Sequence, residues 1–376
     1  MRDAVIVDAV RTPIGRRGGA LSQIHPANLS AHVLTALADR TKLDPATVED
    51  VVWGCVSQVG EQAGIVARTA VFAAGWPVTV PATTVNRACG SSQQAVSFAA
   101  ASVIAGQSDV VIAGGVESMS RVPMGSAAKN GEHFPPNVLE RFGVEGFSQG
   151  TGAEMMAEKW NLSRTELDEF ALRSHALSAA ATDSGAFAGQ LAPVGDLTVD
   201  EGIRRGGSVE SLAKLKTVFK EGGVIHAGNS SQISDGAGAL LITTSEYAAS
   251  QGWTPMARIH TSVVAADDPV MMLAGPIPAT AKALKRSGLS IDDIGTFEIN
   301  EAFAPVPLAW LAETGADMNR LNPLGGAIGV GHPLGGSGSV LMTRLVHHMR
   351  DNGIRYGLQS MCEAGGMANA TILELL

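Results

Sequence analysis

Val85-Asn86-Arg87-Ala88-Cys89-Gly90-Ser91-Ser92-Gln93-Gln94 reads as a strand end, a tight turn and a helix start, and this unit recurs later in the chain. Sliding the sequence by 246 residues sets Cys89-Gly90-Ser91 on Gly335-Gly336-Ser337, each opening a helix. The same offset pairs Leu43 with Leu289, Val48 with Ile294, Val51-Val52 with Phe297-Glu298 and Gly54 with Asn300. A five-residue adjustment then pairs Ala113-Gly114-Gly115 with Ala364-Gly365-Gly366. Two similar halves separated by an insertion account for these matches.

Short apolar runs alternate with helical spacing around this unit. Ala4-Val5-Ile6-Val7, Val51-Val52-Trp53, Thr83-Thr84-Val85 and Val110-Val111-Ile112-Ala113 read as strands, and helices fall between and after them. That alternation predicts an α/β chain with a largely parallel sheet. From Glu117 the texture turns irregular, and Ser163-Arg164-Thr165-Glu166 there carries a capping-box signature. Strand–helix alternation resumes near Met256. The expected division is residues 1–116 as an N-terminal half, 117–245 as an inserted domain and 246–376 as a C-terminal half.

Composition narrows the function classes. The chain has 376 residues, 45% of them hydrophobic and 17% charged, with 44 glycines, which excludes disorder, while no glycine period suggests collagen. No run approaches the roughly 20 apolar residues that span a bilayer, and the N-terminus reads directly as a strand rather than a signal peptide. A net charge of −9 argues against nucleic-acid and anionic-membrane partners. Three scattered cysteines, Cys55, Cys89 and Cys362, suit thiols in a reducing cytoplasm rather than a disulfide framework.

The candidate chemistry gathers in four segments. Cys89 stands at a helix N-terminus, where the dipole is expected to lower a thiol pKa. Asn322 to Gly338 surrounds His332 with seven glycines but lacks the Lys-Ser/Thr of a phosphate loop, so His332 is the candidate base. The repeat sets His332 opposite Asn86, three residues before Cys89, so the halves would meet with thiol and imidazole at one site. Asn300 ends a strand in Phe297-Glu298-Ile299-Asn300-Glu301-Ala302-Phe303-Ala304, and Cys362 enters a Gly-rich turn. No cysteine or histidine spacing fits a zinc site, and no metal is expected. The basic stretch at 204–220, with Arg204, Arg205, Lys214, Lys216 and Lys220, is the natural seat for a phosphate-bearing ligand.

Together these segments resemble the thiolase family over essentially the whole chain: N-R-A-C-G-S-S-Q-Q-A, N-E-A-F-A, N-P-L-G-G-A-I-G-V-G-H-P-L-G-G-S-G and C-E-A-G-G-M, with S-L-A-K-L-K and G-N-S-S-Q-I-S-D-G-A. The resemblance implies two duplicated βαβ-rich halves with mixed five-stranded sheets, stacked α/β/α/β/α, plus an inserted loop domain. It implies an acyl-CoA:acetyl-CoA acyltransferase running a ping-pong Claisen reaction, with coenzyme A as substrate and no permanently bound cofactor, in a homodimer or homotetramer. Cys89 would attack the 3-keto carbon, His332 would take its proton, and Cys362 would protonate the departing acetyl-CoA enolate. One oxyanion hole would be His332 with a water held by Asn300; the other, the backbone amides of Cys89 and Ala364. CoA would run from Arg204 at its nucleotide end past Ser211, Leu215, Phe219, Ala227 and Ser231, with Ala302 and Phe303 at the thioester.

Some positions depart from the short-chain biosynthetic members. Ser148-Gln149 replaces His-Met, Ala364 replaces a glycine and Glu363 an apolar residue. These changes favour a degradative enzyme with a larger acyl group over an acetoacetyl-CoA-forming one, and the C-E-A-G-G ending resembles the branch associated with steroid breakdown. A ketoacyl synthase needs no second catalytic thiol, and a non-catalytic acyl-CoA-binding relative needs none of the four side chains.

Overall fold

A computed structural model of the chain describes residues 2–129 and 131–376. The first half runs β1 (Val5–Arg11), β2 (Gly15–Arg16), α1 (Pro26–Thr41), β3 (Asp50–Gly54), α2 (Val66–Ala73), β4 (Ala82–Val85), α3 (Ser91–Ala105) and β5 (Val110–Ser118). An excursion follows with α4 (Pro136–Phe142), α5 (Gln149–Lys159), α6 (Arg164–Asp183) and α7 (Val209–Leu212). The chain returns through β6 (Ser234–Thr243) and α8 (Ser245–Ser250). The second half is β7 (Ala257–Ala266), α9 (Pro276–Ser287), β8 (Thr296–Ile299), α10 (Pro305–Thr314), α11 (Ala327–Val330), α12 (Ser337–Asn352), β9 (Tyr356–Glu363) and β10 (Met367–Leu375).

Strand order is β4-β3-β5-β6-β1-β7-β10-β9-β8, a pattern that reads alike from both ends. β4, β3 and β5 are parallel, as are β9 and β8, whereas every pairing between β5 and β9 is antiparallel. A parallel bridge from Phe297 to Leu321 stands where β4 stands in the first half. The largely parallel sheet expected from the alternation is therefore corrected to a mixed one. A three-residue turn joins β9 to β10, too short for the crossover that parallel neighbours need. Among the described residues the two half-sheets join through the β1–β7 pairs Val5 with Arg258 and Ile6 with Ala257.

Alternation along the strands builds the layers. On β5, Val110 and Ile112 face α1 and α2, while Val111 and Ala113 face α3 and α12. α3 and α12 lie against each other between the two sheet halves. Ala95, Ala99 and Ala100 make that close approach possible, and Met342, Leu345, Val346 and Met349 fill the layer from α12. Around the second half, α9, α10, α5 and α6 close the outer face over Phe297, Trp310 and Ile372. The order is helix, sheet, helix, sheet, helix, as expected, and it sets the start of α3 beside that of α12.

The repeat needs one correction. β5 begins at Val110 and β9 at Tyr356, so the plain offset persists and the five-residue adjustment falls away. Gly114 and Gly115 lie within β5, but Gly365 and Gly366 form a turn at φ 85° and 77°. The 117–245 range contains β6, which pairs with β1 and β5, so the part outside the sheet is residues 119–233. Within it the capping box forms: Ser163 and Glu166 satisfy each other's backbone amides at the start of α6.

Candidate active site

Cys89 and Asn300 stand just after strands β4 and β8, Cys362 near the end of β9, and His332 just after α11. After β4, Asn86 Oδ1 accepts from the Ala88 amide at 2.9 Å. The Arg87 amide donates to Ser91 Oγ at 2.9 Å, and that hydroxyl donates to the Ala88 carbonyl at 2.6 Å. These bonds hold Ala88 at φ 45°, a left-handed conformation costing an alanine about 1–2 kcal/mol. The turn presents Cys89 inward, 4% exposed, in a cluster with Met119, Leu334, Leu341 and Met361.

The second half uses the same device for an imidazole. Buried His332 donates its backbone amide to Ser234 Oγ at 3.0 Å. Its Nδ1 lies 2.6 Å from Ser337 Oγ, which donates to the Pro333 carbonyl at 3.0 Å. A hydroxyl carries one proton, so Ser337 accepts from Nδ1–H, and the tautomer follows from these hydrogen-bond directions. Nε2 is left with a free lone pair, buried and without a partner among the described residues. Cys362 is fully buried on β9, and Asn300, just after β8, turns Nδ2 toward its Sγ at 3.9 Å, with Oδ1 unpartnered.

Protonation states follow from burial. It pushes the Cys89 thiol well above its usual range, and Cys362, Glu363 and Glu117 act in the same direction when ionised. It carries Cys362 up to about 12 and His332 down to about 4. The expectation of a dipole-lowered thiol is thus corrected. Cys89 precedes Gly90, the N-cap of α3, and a helix terminus worth about 0.3–1 kcal/mol loses to dehydration of a thiolate. The resting pair is a neutral thiol and a neutral imidazole.

Three contiguous cavities lie beside the site, and His332 lines one of them. One of about 230 Å³ is lined by His332, Phe219, Ala227, Ser231, Ala302 and Phe303 among others. Phe219 and Phe303 meet edge to face at 6.0 Å, and the Ser231 amide donates to the Ala302 carbonyl at 2.9 Å. A second, of about 510 Å³, shares Ala227 and Ser231 and adds Arg16, Arg17 and Arg204. A third, of about 520 Å³, meets the first at Gln149 and is walled by Phe134, Val138, Phe142, Phe147, Met272 and Ala364.

Two expected contacts stand elsewhere. The Ser211 hydroxyl donates to the Ser208 carbonyl at 2.7 Å in the cap of α7, and Leu215 lies against Gly228 outside these walls. In the basic stretch, Arg205 pairs with Asp183 and Lys220 with Glu158, while Arg204 lines the second cavity together with Arg16 and Arg17. Arg16-Arg17 escaped the sequence reading because β2, only two residues long, has no periodicity. Ser337 escaped too, although the repeat sets it on Ser91, the hydroxyl that braces the Cys89 turn. Glu117 was also missed; its carboxylate accepts from the amides of Val56, Ser57 and Gly335 at 2.8–3.0 Å, tying the two halves together. Among the described residues no cluster of three or more His, Cys, Asp or Glu could hold a metal, and no helix is long and apolar enough to cross a membrane.

Comparison with known proteins places the whole chain in a family. Residues 4–246 match the family model "Thiolase, N-terminal domain", and residues 253–375 match "Thiolase, C-terminal domain". A steroid 3-ketoacyl-CoA thiolase of Mycobacterium tuberculosis is 50% identical, over 100% of this chain and 95% of that protein. A 3-ketoacyl-CoA thiolase of Pectobacterium carotovorum subsp. carotovorum is 43% identical over 100% of both. The crystal structure of the Bacillus anthracis acetyl-CoA acetyltransferase superposes with a TM-score of 0.91 at 37% identity, covering 100% of this chain and 99% of that one. With both parts of the sequence matched by family models and its relatives aligned end to end, this chain belongs to the thiolase family.

Proposed function

We propose that this acyltransferase degrades a 3-ketoacyl-CoA by ping-pong thiolysis, with Cys89 carrying the acyl group. The Cys89 proton passes to His332 Nε2 as Sγ attacks the 3-keto carbon, so no free thiolate accumulates. The C2–C3 bond breaks, and Cys362 gives its proton to the acetyl-CoA enolate. Incoming CoA then loses its thiol proton to the Cys362 thiolate and attacks the acyl thioester, and His332 returns its proton to Cys89. Each positioned proton transfer contributes about 10²–10⁴-fold. Asn300 with a water and His332 would stabilise one oxyanion, and the amides of Cys89 and Ala364 the other.

The observation that carries this reading is the buried, unpartnered Nε2 of His332 on the wall of the 230 Å³ cavity. CoA would lie with its phosphates toward Arg16, Arg17 and Arg204 and its pantetheine between Ala227, Ser231, Phe219 and Phe303. For the acyl group we take the third cavity: its wall is mostly aromatic and aliphatic, with Gln149 polar and His133 the only titratable side chain among the described residues. That lining suits a bulky, uncharged acyl chain, in keeping with the mycobacterial relative's name. Residues 119–233 would form the loop domain over the site. We also propose a homodimer or homotetramer, and the cytoplasm, where the three free cysteines stay reduced.

Mass spectrometry of protein treated with a 3-ketoacyl-CoA in the absence of CoA tests the reading. The expected result is an acyl adduct on Cys89, released as acyl-CoA when CoA is added. A Cys89→Ala variant that keeps thiolysis activity would sink it.

A further inference from the structure

Glu363 follows Cys362 at the end of β9, and its side chain is fully buried. Its carboxyl lies over the Cα of Gly90, well inside the space a Cβ would take there. Asn369 on β10 reaches the same point and donates to the Gly90 carbonyl at 3.0 Å. Among the described residues no side chain hydrogen-bonds either Glu363 oxygen, the Asn369 backbone amide being its one weak donor, and the neighbouring Asn369 Oδ1 has no partner. A buried carboxylate in that state would be costly, whereas a carboxylic acid needs only one acceptor.

We propose that Glu363 is a positioning residue for the thiol pair: wedged between the Cys89–Gly90 turn and Cys362, it works as an uncharged carboxylic acid, and its ionisation suppresses thiol chemistry at alkaline pH. The proposal rests on the reading of Cys89 and Cys362 as the reacting thiols. Burial raises Glu363 to about 8, and Arg87 and the Asn369 backbone amide only partly offset it. Once charged, Glu363 pushes both thiols further up.

The groups around Glu363 keep this titration simple. The Cys89 turn brings Arg87 and the Cys89 thiol, β9 brings Cys362, and Glu117 acts on Cys89 from β5. β10 contributes the uncharged Met367 and Asn369, and Asp267 and Asp268, in the loop after β7, turn backbone carbonyls toward Gly366.

The experiment compares wild type with Glu363→Gln and Glu363→Ala from pH 6 to 10, following iodoacetamide alkylation of Cys89 by mass spectrometry beside the thiolysis rate. In wild type the logarithm of the alkylation rate should climb with pH and flatten near pH 8. Glu363→Gln should climb without a break, reacting about tenfold faster than wild type at pH 9.5, and its thiolysis should keep its alkaline limb. Glu363→Ala should show the same unbroken alkylation profile but lower thiolysis at every pH, because the turn has lost its wedge. Superimposable wild-type and Glu363→Gln profiles would overturn the proposal. If no 3-ketoacyl-CoA is cleaved by any of the three proteins, the proposed reaction fails, while the alkylation profile still decides the role of Glu363.

Discussion

Replacing Ser337 with alanine isolates the one hydrogen bond that sets the His332 tautomer. The 2.6 Å contact to Nδ1 and the 3.0 Å bond to the Pro333 carbonyl both disappear. Nδ1 is then a buried donor without a partner, which costs about 1–3 kcal/mol. The imidazole can relieve that cost by moving its proton to Nε2, where it blocks the lone pair that should receive the Cys89 proton. Loss of the base and of ring alignment together should lower kcat on the order of 10–100-fold. At roughly 2–4 °C per kcal/mol for a larger domain, Tm should fall by about 2–12 °C. Ser339→Ala is the matched control. Its hydroxyl donates to the Gly336 carbonyl at 2.8 Å, on the same helical turn but away from the imidazole. It should lose a similar amount of stability and keep kcat within about twofold. Steady-state thiolysis and thermal unfolding of the two variants decide the matter: the reasoning fails if Ser337→Ala keeps its kcat, or if Ser339→Ala falls as far.

Two other outcomes follow from the buried groups and the aromatic cavity. Glu363 binds its proton to about pH 8 when folded but only to about pH 4.5 when unfolded, so the native state holds more protons between those values and wild-type stability falls as pH rises. Glu363→Gln should therefore match wild type in Tm near pH 4.5 and exceed it by at most about 5 kcal/mol of stability above pH 8; equal Tm values at both ends would remove the basis for a buried neutral acid. Phe147 packs edge to face with Phe134 at 4.8 Å and Phe142 at 5.7 Å, and Phe147→Ala should raise KM about tenfold for bulky 3-ketoacyl-CoA substrates while sparing acetoacetyl-CoA. A uniform effect across an acyl-chain panel would show that the cavity does not hold the acyl group.

The sequence was most legible where one physical constraint acted alone. The repeat found β3 with β8 and α3 with α12 because buried strands and helix starts demand the same residue types in both halves. It failed at Ala-Gly-Gly, where two constraints produce one tripeptide. Gly115 is small because the Gly335 carbonyl lies 2.6 Å from where its Cβ would be, whereas Gly365 and Gly366 are glycines because a turn needs positive φ. Cys89, His332, Asn300 and Cys362 were readable as residue types at strand and helix ends. Their protonation states were not, since local position spoke for a lowered thiol while burial by Met119, Leu341 and Met361 from distant segments prevailed. Arg16 and Arg17 belong to the same class: only the folded chain brings them beside Arg204.

The duplication also explains why the site is asymmetric although its scaffold is not. At the position of His332 the first half has Asn86, whose side chain is spent on the Ala88 amide and the Val56 carbonyl. At the position of Cys89 the second half has Gly335, and no side chain fits there, because a Cβ would stand 2.6 Å from Cys55 Cα and 2.8 Å from Glu117 Oε2. At these two equivalent positions each half therefore carries one reactive group and fills the other with a turn brace or bare backbone. The vacancy at Gly335 lets its amide donate to Glu117, which ties β5 to the His332 loop and fixes the spacing between the two turns. His332 then lines the 230 Å³ cavity from the second half, while Cys89 from the first half is buried against Leu334 of the same loop, a pairing of thiol and imidazole that neither half provides alone.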